Sequence, residues 1–419
     1  MNKHNIGDLY QMQSLPLKSK IIMTQQRIRT WYDHFDGDVF VSFSGGKDST
    51  VLVDIVTKMG YKDIPLVFVD TGLEYPEIRD FVKGYGDRVT WLKPKMNFKQ
   101  VIQKYGYPFI SKEVSESVMS SKKYLTAIQR SKTVLTDRQT DRQTDKITCA
   151  WALADMLGIE RRKKNQKQQY EDLKKGIIPD IAYDAKYENG APVRLLQLLG
   201  RMPHKENGKM TNEYSRRYDK SRWLFLLDAP FEVSNQCCRV MKKSPAKRYA
   251  KETGRHPITA QMASESRLRT TQWLKNGCNG FEMKTPISNP MSFWTEQDVL
   301  LYIKQNDLPI CSVYGKVVED LEGTEAVEGQ MTMSDVPGWE NQGLFDAKRL
   351  PLKTTGCDRT GCMFCGFGCH MEKDARFVRM KTTHPKQYDY IMRSWEEGGL
   401  NYKEVIDWLN EHGNLNIKY

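Results

Sequence analysis

One short stretch constrains the fold more than any other part of the chain: VFVSFSGGKDSTVLVDIV, residues 39–56. An apolar run of strand length leads into two glycines, a lysine and an aspartate, and an apolar helical pattern follows. Glycines after a strand let the backbone turn tightly and expose its N–H groups. These groups, with the positive end of the helix near Ser49, form an anion site. The stretch therefore predicts a phosphate-binding turn between a buried strand and a helix.

The polar residues of this turn suit a phosphate ligand. Lys47 adds positive charge, and the hydroxyl groups of Ser44 and Ser49 add donors. Asp48 can help to place Mg²⁺, because hard cations prefer oxygen ligands. The turn is not the common GxxxxGK(S/T) loop, since its glycines are adjacent and an aspartate follows the lysine. We expect the phosphates of a nucleotide to be held by Ser44, Gly45, Gly46, Lys47, Asp48 and Ser49.

Strand-like and helix-like segments alternate around this turn. The predicted elements are strands at 38–43, 65–69 and 89–92 and helices at 18–35, 49–59 and 75–85. The predicted buried positions of the first helix are Ile21, Ile22, Ile28, Trp31 and Phe35. Such alternation is typical of an α/β fold with a parallel, doubly wound sheet. In these sheets ligands bind at the carboxyl ends of the strands, where the phosphate turn and the segment Asp70-Thr71-Gly72 both fall.

Later parts of the chain have their own patterns. Residues 294–305 predict a helix with Thr295 as its N-cap and Asp298 three positions on. One or two helices are expected after Pro385. Residues 136–146 form a polar tandem repeat, TDRQTDRQTDK, which predicts an exposed loop or irregular helix.

The charge of the chain favours a phosphate-rich partner. The 419 residues carry a net charge of +12, although a merely soluble basic enzyme would have the same balance. The basic stretch after the repeat has interleaved aromatic residues, namely Tyr170, Tyr214, Tyr218 and Trp223. Basic and aromatic residues together suit a nucleic-acid surface, for DNA or RNA, whereas a solvated charged face is the simpler alternative.

Composition also bears on the cellular compartment. No apolar run approaches the roughly 18 residues that a membrane span needs, and the N-terminal residues have no apolar signal core. We therefore expect a cytoplasmic protein with no membrane partner. Thiols stay reduced there, so the nine cysteines predict metal or redox chemistry more than disulfides.

Several motifs resemble one enzyme family. SGGKDS resembles the pyrophosphate (PP) loop of the ATP pyrophosphatase superfamily, whose fold is adenine nucleotide alpha hydrolase-like. DTGLEYPE, residues 70–77, resembles the DTGxxFPE segment of the 3′-phosphoadenylylsulfate (PAPS) reductase family, and WTEQDVLLYIKQNDLP resembles a second segment of that family. The resemblance covers roughly residues 37–115 and 225–380. It implies that Asp70, Thr71 and Gly72 border the nucleotide.

The family resemblance extends to substrate and metal ligands. It implies that Arg267 and Arg269 hold a distal phosphate or the target through bidentate contacts. The iron–sulfur type of sulfonucleotide reductase holds a [4Fe–4S] cluster with a Cys-Cys pair and a distant Cys-x-x-Cys, which implies the ligands Cys237, Cys238, Cys362 and Cys365. A rival local set, which could bind a cluster or zinc, is Cys357, Cys362, Cys365 and Cys369. The cysteines interpreted as structural are Cys149, Cys278 and Cys311.

The chain departs from the reductases at the nucleophile. Those enzymes carry a catalytic cysteine in a C-terminal E-C-G-x-H segment, whereas the last cysteine here is Cys369, beside His370. Cys369 is therefore the candidate nucleophile for a sulfonucleotide (APS or PAPS) reductase that releases sulfite. The chain is also similar to the ATP pyrophosphatase of Dnd-type DNA phosphorothioation, which implies cleavage of ATP to AMP and pyrophosphate.

The favoured hypothesis is the ATP-dependent one. In this hypothesis the protein uses ATP to activate a nucleic acid. The cluster then supports sulfur transfer from a donor such as a cysteine desulfurase. The candidate catalytic residues are Lys47, Asp48, Arg267 and Cys369. A non-catalytic nucleotide-binding or nucleic-acid-binding subunit of a larger complex is the alternative from another class.

The predicted organisation follows the chain in order. Its segments are an N-terminal helical segment (1–36), the PP-loop nucleotide-binding half (37–135), a basic helical insertion (136–224), the second part of the PAPS-reductase-like domain (225–315), an irregular excursion with the C-terminal cysteine-rich iron–sulfur segment (316–384) and C-terminal helices (385–419).

Overall fold

The structure is a computed structural model that describes residues 2–136, 191–200, 203–206, 209–320, 350–372 and 374–419. The described helices are, in chain order, α1 (Ile6–Gln13), α2 (Leu17–His34), α3 (Lys47–Lys58), α4 (Pro76–Lys83), α5 (Phe98–Tyr105), α6 (Lys112–Thr136), α7 (Ala191–Leu198), α8 (Ser244–Thr253), α9 (Arg267–Asn276), α10 (Glu296–Gln305), α11 (Arg376–Thr383), α12 (Pro385–Met392) and α13 (Tyr402–Gly413). The described strands are β1 (Val39–Ser42), β2 (Leu66–Val69), β3 (Val89–Leu92), β4 (Phe109–Ile110), β5 (Pro203–Glu206), β6 (Lys209–Tyr214), β7 (His256–Ile258), β8 (Asn279–Gly280), β9 (Ile287–Ser288), β10 (Val317–Glu319), β11 (Leu352–Thr354) and β12 (Gly366–Phe367). None of the helices in these ranges is long and apolar enough to cross a membrane.

Two compact units make up the chain. The first contains residues 1–97 and 240–363, and the second contains residues 98–239 and 364–419. Each unit thus combines two stretches that are distant in sequence, whereas the segments predicted from composition follow the chain in order and remain predictions. The tandem repeat from residue 137 onward, Tyr170 and Cys149 lie outside the described residues.

A mostly parallel sheet forms the centre of the first unit. Its strand order is β3-β2-β1-β7-β9-β8, and every neighbouring pair is parallel except β8 and β9. The predicted α/β class with a parallel sheet is therefore confirmed, with an antiparallel edge strand that was not predicted. In the sheet, β2 and β3 lie on one side of β1, and β7, β9 and β8 lie on the other. The strand order therefore reverses direction at β1. Ligands in such sheets bind at this switch point, beyond the carboxyl end of β1.

Burial explains why the central strand is apolar. Val39, Phe40 and Val41 are each at most 1% exposed, which indicates that both faces of β1 are covered. The predicted elements of this region all form, with bounds that shift by no more than two residues.

The helix α2 packs on the core through a narrow stripe of its surface. Ile28 and Trp31 are fully buried, as predicted, and Ile21 and Phe35 are partly buried. The prediction for Ile22 is wrong, because its side chain is 57% exposed. One residue advances a helix by about 100°, so the neighbour of a core-facing isoleucine lies beside the stripe and not on it.

The predicted N-cap of α10 is confirmed and also anchors α2. Thr295 and Asp298 form a reciprocal capping box. The Asp298 carboxylate also accepts a hydrogen bond from the buried Lys20 amino group at 2.7 Å. Next to this pair, the buried Trp294 donates its indole N–H to Thr24 Oγ1 at 2.9 Å. These contacts join two helices that are far apart in sequence.

The second unit is mainly helical around an aromatic core. Its strands β4 and β12 pair in parallel, which brings Gly366 opposite Phe109, and β5 and β6 form an antiparallel hairpin. The basic insertion is therefore not purely helical where it is described. The predicted C-terminal helices are confirmed as α12 and α13, and Phe377 and Tyr402 of this region are fully buried.

Candidate nucleotide-binding site

The predicted phosphate turn lies between β1 and α3, and its first glycine is required there. Gly45 has φ +69°, in the left-handed region that favours glycine. A Cβ atom at this position would lie 2.8 Å from Val82 Cγ2 and 2.9 Å from Ile78 Cγ2 of α4. The turn can approach α4 this closely only because the side chain is missing. Gly46 has an extended backbone and is the N-cap of α3.

The two serines hold the turn in shape. Ser49 Oγ accepts a hydrogen bond from the Ser44 amide at 3.2 Å and donates one to the Gly46 carbonyl at 2.9 Å. Ser44 Oγ accepts a bond from the Gly46 amide at 3.3 Å. Ser49 is buried, whereas Ser44 is exposed. Only Ser44 therefore presents its hydroxyl at the surface of the turn, and the predicted phosphate contact of Ser49 remains a prediction.

Lys47 is buried and already has protein partners. Its side chain is 4% exposed, and its amino group lies 2.9 Å from Glu296 Oε1 and 2.6 Å from the Asp358 carbonyl oxygen. The Lys47 amide donates to the Tyr314 hydroxyl at 3.3 Å. A lysine ammonium has three donors, so one N–H remains for a ligand phosphate.

Asp48 is the charged centre of the site. Burial raises the pKa of its carboxyl group, Lys47 lowers it, and Glu296 raises it again. Arg359 and Arg269 lower this pKa further, so both guanidinium groups lie close to Asp48. Among the described residues, the buried Oδ1 atom of Asp48 has no hydrogen-bond partner. An unpartnered carboxylate oxygen beside a phosphate site is suited to a hard cation.

Arg269 and Arg359 form a pair of like charges. The pKa of Arg269 is lowered first by burial and then by Arg359, and Asp48 raises it. Arg269 also makes an ion pair with Glu265. Two neighbouring guanidinium groups repel each other, and an anion between them removes this cost. Their planar donors match phosphate or sulfate oxygens in a bidentate geometry.

Sequence reasoning missed Arg359 and favoured Arg267 as strongly as Arg269. Arg267 is the first residue of α9 and is exposed, so its predicted role remains a prediction. Arg359 lies between Cys357 and Cys362 in the sequence. This segment was interpreted as a source of metal ligands because of its cysteine spacing, and the arginine was not considered. Its basic side chain was the available signal, but nothing local places it beside the phosphate turn.

The DTG segment forms a closed turn after β2. The Asp70 carboxylate accepts hydrogen bonds from the Gly72 amide at 3.1 Å and from Arg79 Nη2 at 2.9 Å. Thr71 donates its hydroxyl to Glu74 at 2.8 Å. Gly72 has φ +73°, which the turn requires. Since β1 and β2 are parallel neighbours, the two turns lie at the same edge of the sheet, as predicted.

Two neighbouring cavities lie near the end of β1, and the smaller one reaches the phosphate turn at Ser44. The smaller has a volume of about 140 Å³ and lies between the two turns. Its polar lining residues are Ser42, Ser44, Glu74, Tyr75, Lys242 and Thr360. The larger has a volume of about 870 Å³ and extends along α8 and α9. Both cavities are lined by Ser42, Lys242 and Ala246, so they are neighbours.

Four cysteines come together inside the second unit. The sulfur atoms of Cys237 and Cys238 are 4.0 Å apart. Burial raises the pKa of the Cys365 thiol, and Cys238 raises it further. Burial also raises the pKa of Tyr402, with contributions from Cys365, Cys237 and Cys369. These thiols therefore interact electrostatically with one another or with the same buried tyrosine.

The remaining predicted ligands belong to the first unit. Cys362 and Cys357 both lie in residues 240–363. In the described part of the chain, no group of three or more Cys, His, Asp or Glu side chains has the arrangement of a metal site. The predicted ligand sets remain predictions.

Cys369 does not have the surroundings of an activated nucleophile. Its thiol is buried, and burial raises its pKa to about 12 despite the nearby Arg376. A reactive cysteine needs the opposite shift, because the thiolate is the nucleophile. The neighbouring His370 has its pKa lowered, first by burial and then by Arg222, so it supplies no cation at neutral pH.

Two uncharacterized proteins of Methanocaldococcus jannaschii are similar to parts of the chain. One is 39% identical over 85 residues (19% of this chain and 18% of the relative), and the other is 41% identical over 71 residues (16% and 17%). The chain thus spans less than a fifth of the length of these relatives.

A solved structure and a family complete the comparison. The crystal structure of phosphoadenylyl-sulfate (PAPS) reductase from Candida auris, a phosphate complex, matches 69% of this chain and 82% of its own, with 14% identity and a TM-score of 0.30. That TM-score is too low for the likeness to support any detail of the site. The family described as phosphoadenosine phosphosulfate reductase domain matches residues 38–146 and 193–367, more than half of the chain. The chain belongs to the phosphoadenosine phosphosulfate reductase domain family.

Proposed function

We propose that this PP-loop nucleotide-binding protein cleaves ATP to AMP and pyrophosphate, and that it thereby activates a nucleic-acid target for sulfur transfer. One observation carries the proposal: basic side chains gather at the phosphate turn. Arg359 follows Asp358, whose carbonyl accepts a hydrogen bond from Lys47 at 2.6 Å, and both Arg359 and Arg269 lower the pKa of Asp48. Backbone amides at the start of a helix hold one phosphate group. Two additional guanidinium groups provide for further negative charge, as in a triphosphate chain.

The residues of the turn have distinct roles in the proposed reaction. The Gly45 amide and the third N–H of the Lys47 ammonium bind the phosphates, and the arginine pair binds those that leave. An oxygen of the target attacks the α-phosphorus of ATP, a new oxygen–phosphorus bond forms, and the bond to the pyrophosphate oxygen breaks. The electron pair of the broken bond leaves with pyrophosphate, whose charge the arginines stabilise, and the target keeps the adenylate. Sulfur from the donor, or water when no donor is present, then forms a bond to the activated atom of the target. The bond from that atom to the adenylate oxygen breaks, and AMP leaves with its electron pair.

The open carboxylate oxygen of Asp48 fits a Mg²⁺ ion that accompanies the nucleotide. When bound, the ion would supply neutralisation of the phosphate charge. Asp48 would hold it. Burial raises the pKa of this carboxyl group and Lys47 opposes that shift, and the charge of a bound cation would favour the ionised form further.

The cysteines are proposed to support the sulfur chemistry. Thiolates are the usual ligands of a [4Fe–4S] cluster, and Cys237, Cys238 and Cys365 are neighbouring thiols of the second unit. Cys362, three positions before Cys365 in the chain, is the fourth proposed ligand, with Cys369 as its rival. A bound cluster would supply electrons or a site for sulfur, and an external donor such as a cysteine desulfurase would deliver the sulfur.

The test compares three nucleotides on anaerobically purified protein. ATP, APS and PAPS are incubated in parallel with a thiol reductant, with and without DNA or RNA, and the products are resolved by chromatography. We expect AMP and pyrophosphate from ATP, more of both with nucleic acid, and no product above background from Asp48→Asn. Sulfite from APS or PAPS, with ATP left intact, would overturn the proposal in favour of a reductase. Binding without turnover would instead indicate a non-catalytic subunit.

A further inference from the structure

The larger cavity, which is lined by Phe40 and Ser42 of β1, has an unusual charge. Its lining includes seven cationic residues and, among the described residues that line it, no aspartate or glutamate. The cations are Lys242, Lys243, Lys247, Lys251, Arg255, Arg269 and Lys284. We call this cavity the basic groove. Carboxylates usually accompany such a concentration of positive charge, so the basic groove is built for an anionic ligand.

Three of the cations form a row. Lys243, Lys247 and Lys251 are spaced four positions apart on and just before α8, so they lie on one face of the helix. The rise of a helix places successive members about 6 Å apart along its axis. All three are exposed. A row of evenly spaced cations matches a linear polyanion better than a single phosphate group.

Part of the groove lining is apolar. Pro257, Met283 and Ile287 contribute to it, and all three are partly exposed. Bases of a single strand pack on apolar and aromatic surfaces while the backbone phosphates face cations. A volume of about 870 Å³ is that of a ligand pocket and takes a short stretch of one strand.

The groove also leads to the proposed reaction centre. It shares Ser42, Lys242 and Ala246 with the smaller cavity between the two turns, and Arg269 faces both the groove and Asp48. A strand in the groove can therefore reach the phosphate turn with one end.

We infer that the basic groove is the binding site for the nucleic-acid target, and that the backbone of a single strand lies along Lys243, Lys247 and Lys251. This inference rests on the proposed function for the identity of the reaction. It places the target in the first unit, whereas sequence composition favoured the basic insertion at residues 136–224.

The test measures binding of a fluorescent single-stranded oligonucleotide by anisotropy across a salt series, with full-length protein. The groove variant is Lys243→Gln/Lys247→Gln/Lys251→Gln. The matched control is Lys18→Gln/Lys62→Gln/Lys95→Gln, which removes the same charge from exposed lysines of the same unit outside the groove. Thermal melting of both variants checks that they are folded.

Counterion release sets the expected size of the effect. Each lost phosphate contact lowers the slope of log affinity against log salt by about 0.7, so three contacts lower it by about 2 and weaken binding by up to about a hundredfold near 0.1 M salt. The control variant should stay within about threefold of the unmodified protein. Equal losses in both variants would overturn the inference. So would displacement of the oligonucleotide by poly-glutamate at equal charge concentration, which would indicate an acidic protein as the partner.

Pyrophosphate release from ATP in the presence of the oligonucleotide is measured on the same samples and separates the two proposals. If the protein binds the oligonucleotide through the groove but does not cleave ATP, the proposed function is refuted and the inference about the groove is kept. If the protein cleaves ATP and the groove variant binds the oligonucleotide normally, only the inference about the groove is refuted.

Discussion

Replacing Arg269 by glutamine tests the anion site most directly, because the same helix provides its control. Arg269 lies beside Asp48 and Arg359, and its side chain is 34% exposed. Arg267, two positions earlier, is exposed. If the arginine pair holds the distal phosphates of ATP, Arg269→Gln removes a charge-assisted contact, whereas Arg267→Gln removes an exposed charge.

The expected magnitudes differ by more than the error of a binding assay. A hydrogen bond to a charged group contributes about 1.5–3 kcal/mol, so Arg269→Gln should weaken ATP binding about ten- to a hundredfold. Arg267→Gln should change it by no more than about twofold, since exposed substitutions stay within about 0.5 kcal/mol. The ion pair of Arg269 with Glu265 is partly exposed, and its loss should cost less than about 1 kcal/mol of folding stability.

Calorimetric titration with a non-hydrolysable ATP analogue and with AMP provides the assay. We expect Arg269→Gln to lose affinity for the analogue and to keep its affinity for AMP, because AMP lacks the distal phosphates. An equal loss for both ligands, or an equal effect of the two variants, would refute the assignment of Arg269 to the distal phosphates. Thermal melting of each variant shows whether a loss comes from misfolding.

Three further predictions concern stability and metal content. Because burial raises the pKa of Asp48 above its unfolded value of 3.8, ionisation of this group destabilises the empty folded protein as the pH rises through the folded pKa. Asp48→Asn should therefore raise the melting temperature at pH 7 by about one to three degrees. The difference between the variant and the unmodified protein should shrink as the pH falls toward 3.8. A variant that melts at a lower temperature than the unmodified protein at pH 7 would contradict this prediction. Lys20→Met leaves the largely buried Asp298 carboxylate without its cation. Chemical denaturation should show that the free energy of unfolding of the first unit falls by about 3–5 kcal/mol. A decrease below about 1 kcal/mol would show that the pair is dispensable. Cys365→Ser should lower the iron bound per chain after anaerobic purification at least severalfold, whereas Cys278→Ser should leave it unchanged, and equal iron in both variants would exclude Cys365 as a ligand.

The local features of the site could be predicted because short patterns determine them. Gly45 adopts a positive φ between a buried strand and a helix. The six residues SGGKDS, 44–49, are sufficient to predict this turn. The capping box of Thr295 and Asp298 likewise depends on a spacing of three. Such features require only the covalent geometry of neighbouring residues, so they are present in the sequence itself.

Contacts between distant residues could not be predicted in the same way. Arg359 comes to Asp48 across more than three hundred positions, and Ile22 is exposed although its neighbours in the pattern are buried. The cysteines behave similarly: Cys369 joins Cys237 and Cys365 near Tyr402, whereas spacing alone favoured other groupings. The hydrophobic periodicity of a segment predicts its secondary structure, but it does not show which distant segment packs against it.

The sequence by itself determined the α/β class, the phosphate turn and the DTG turn, because strand and helix periods and glycine conformations are local. Only the tertiary structure decided which arginines face the turn, which cysteines are neighbours and that Lys243, Lys247 and Lys251 line a groove without lining carboxylates. The physical reason is that charge and metal sites depend on distances through space. Folding sets those distances by packing the apolar faces of elements that are remote in the chain.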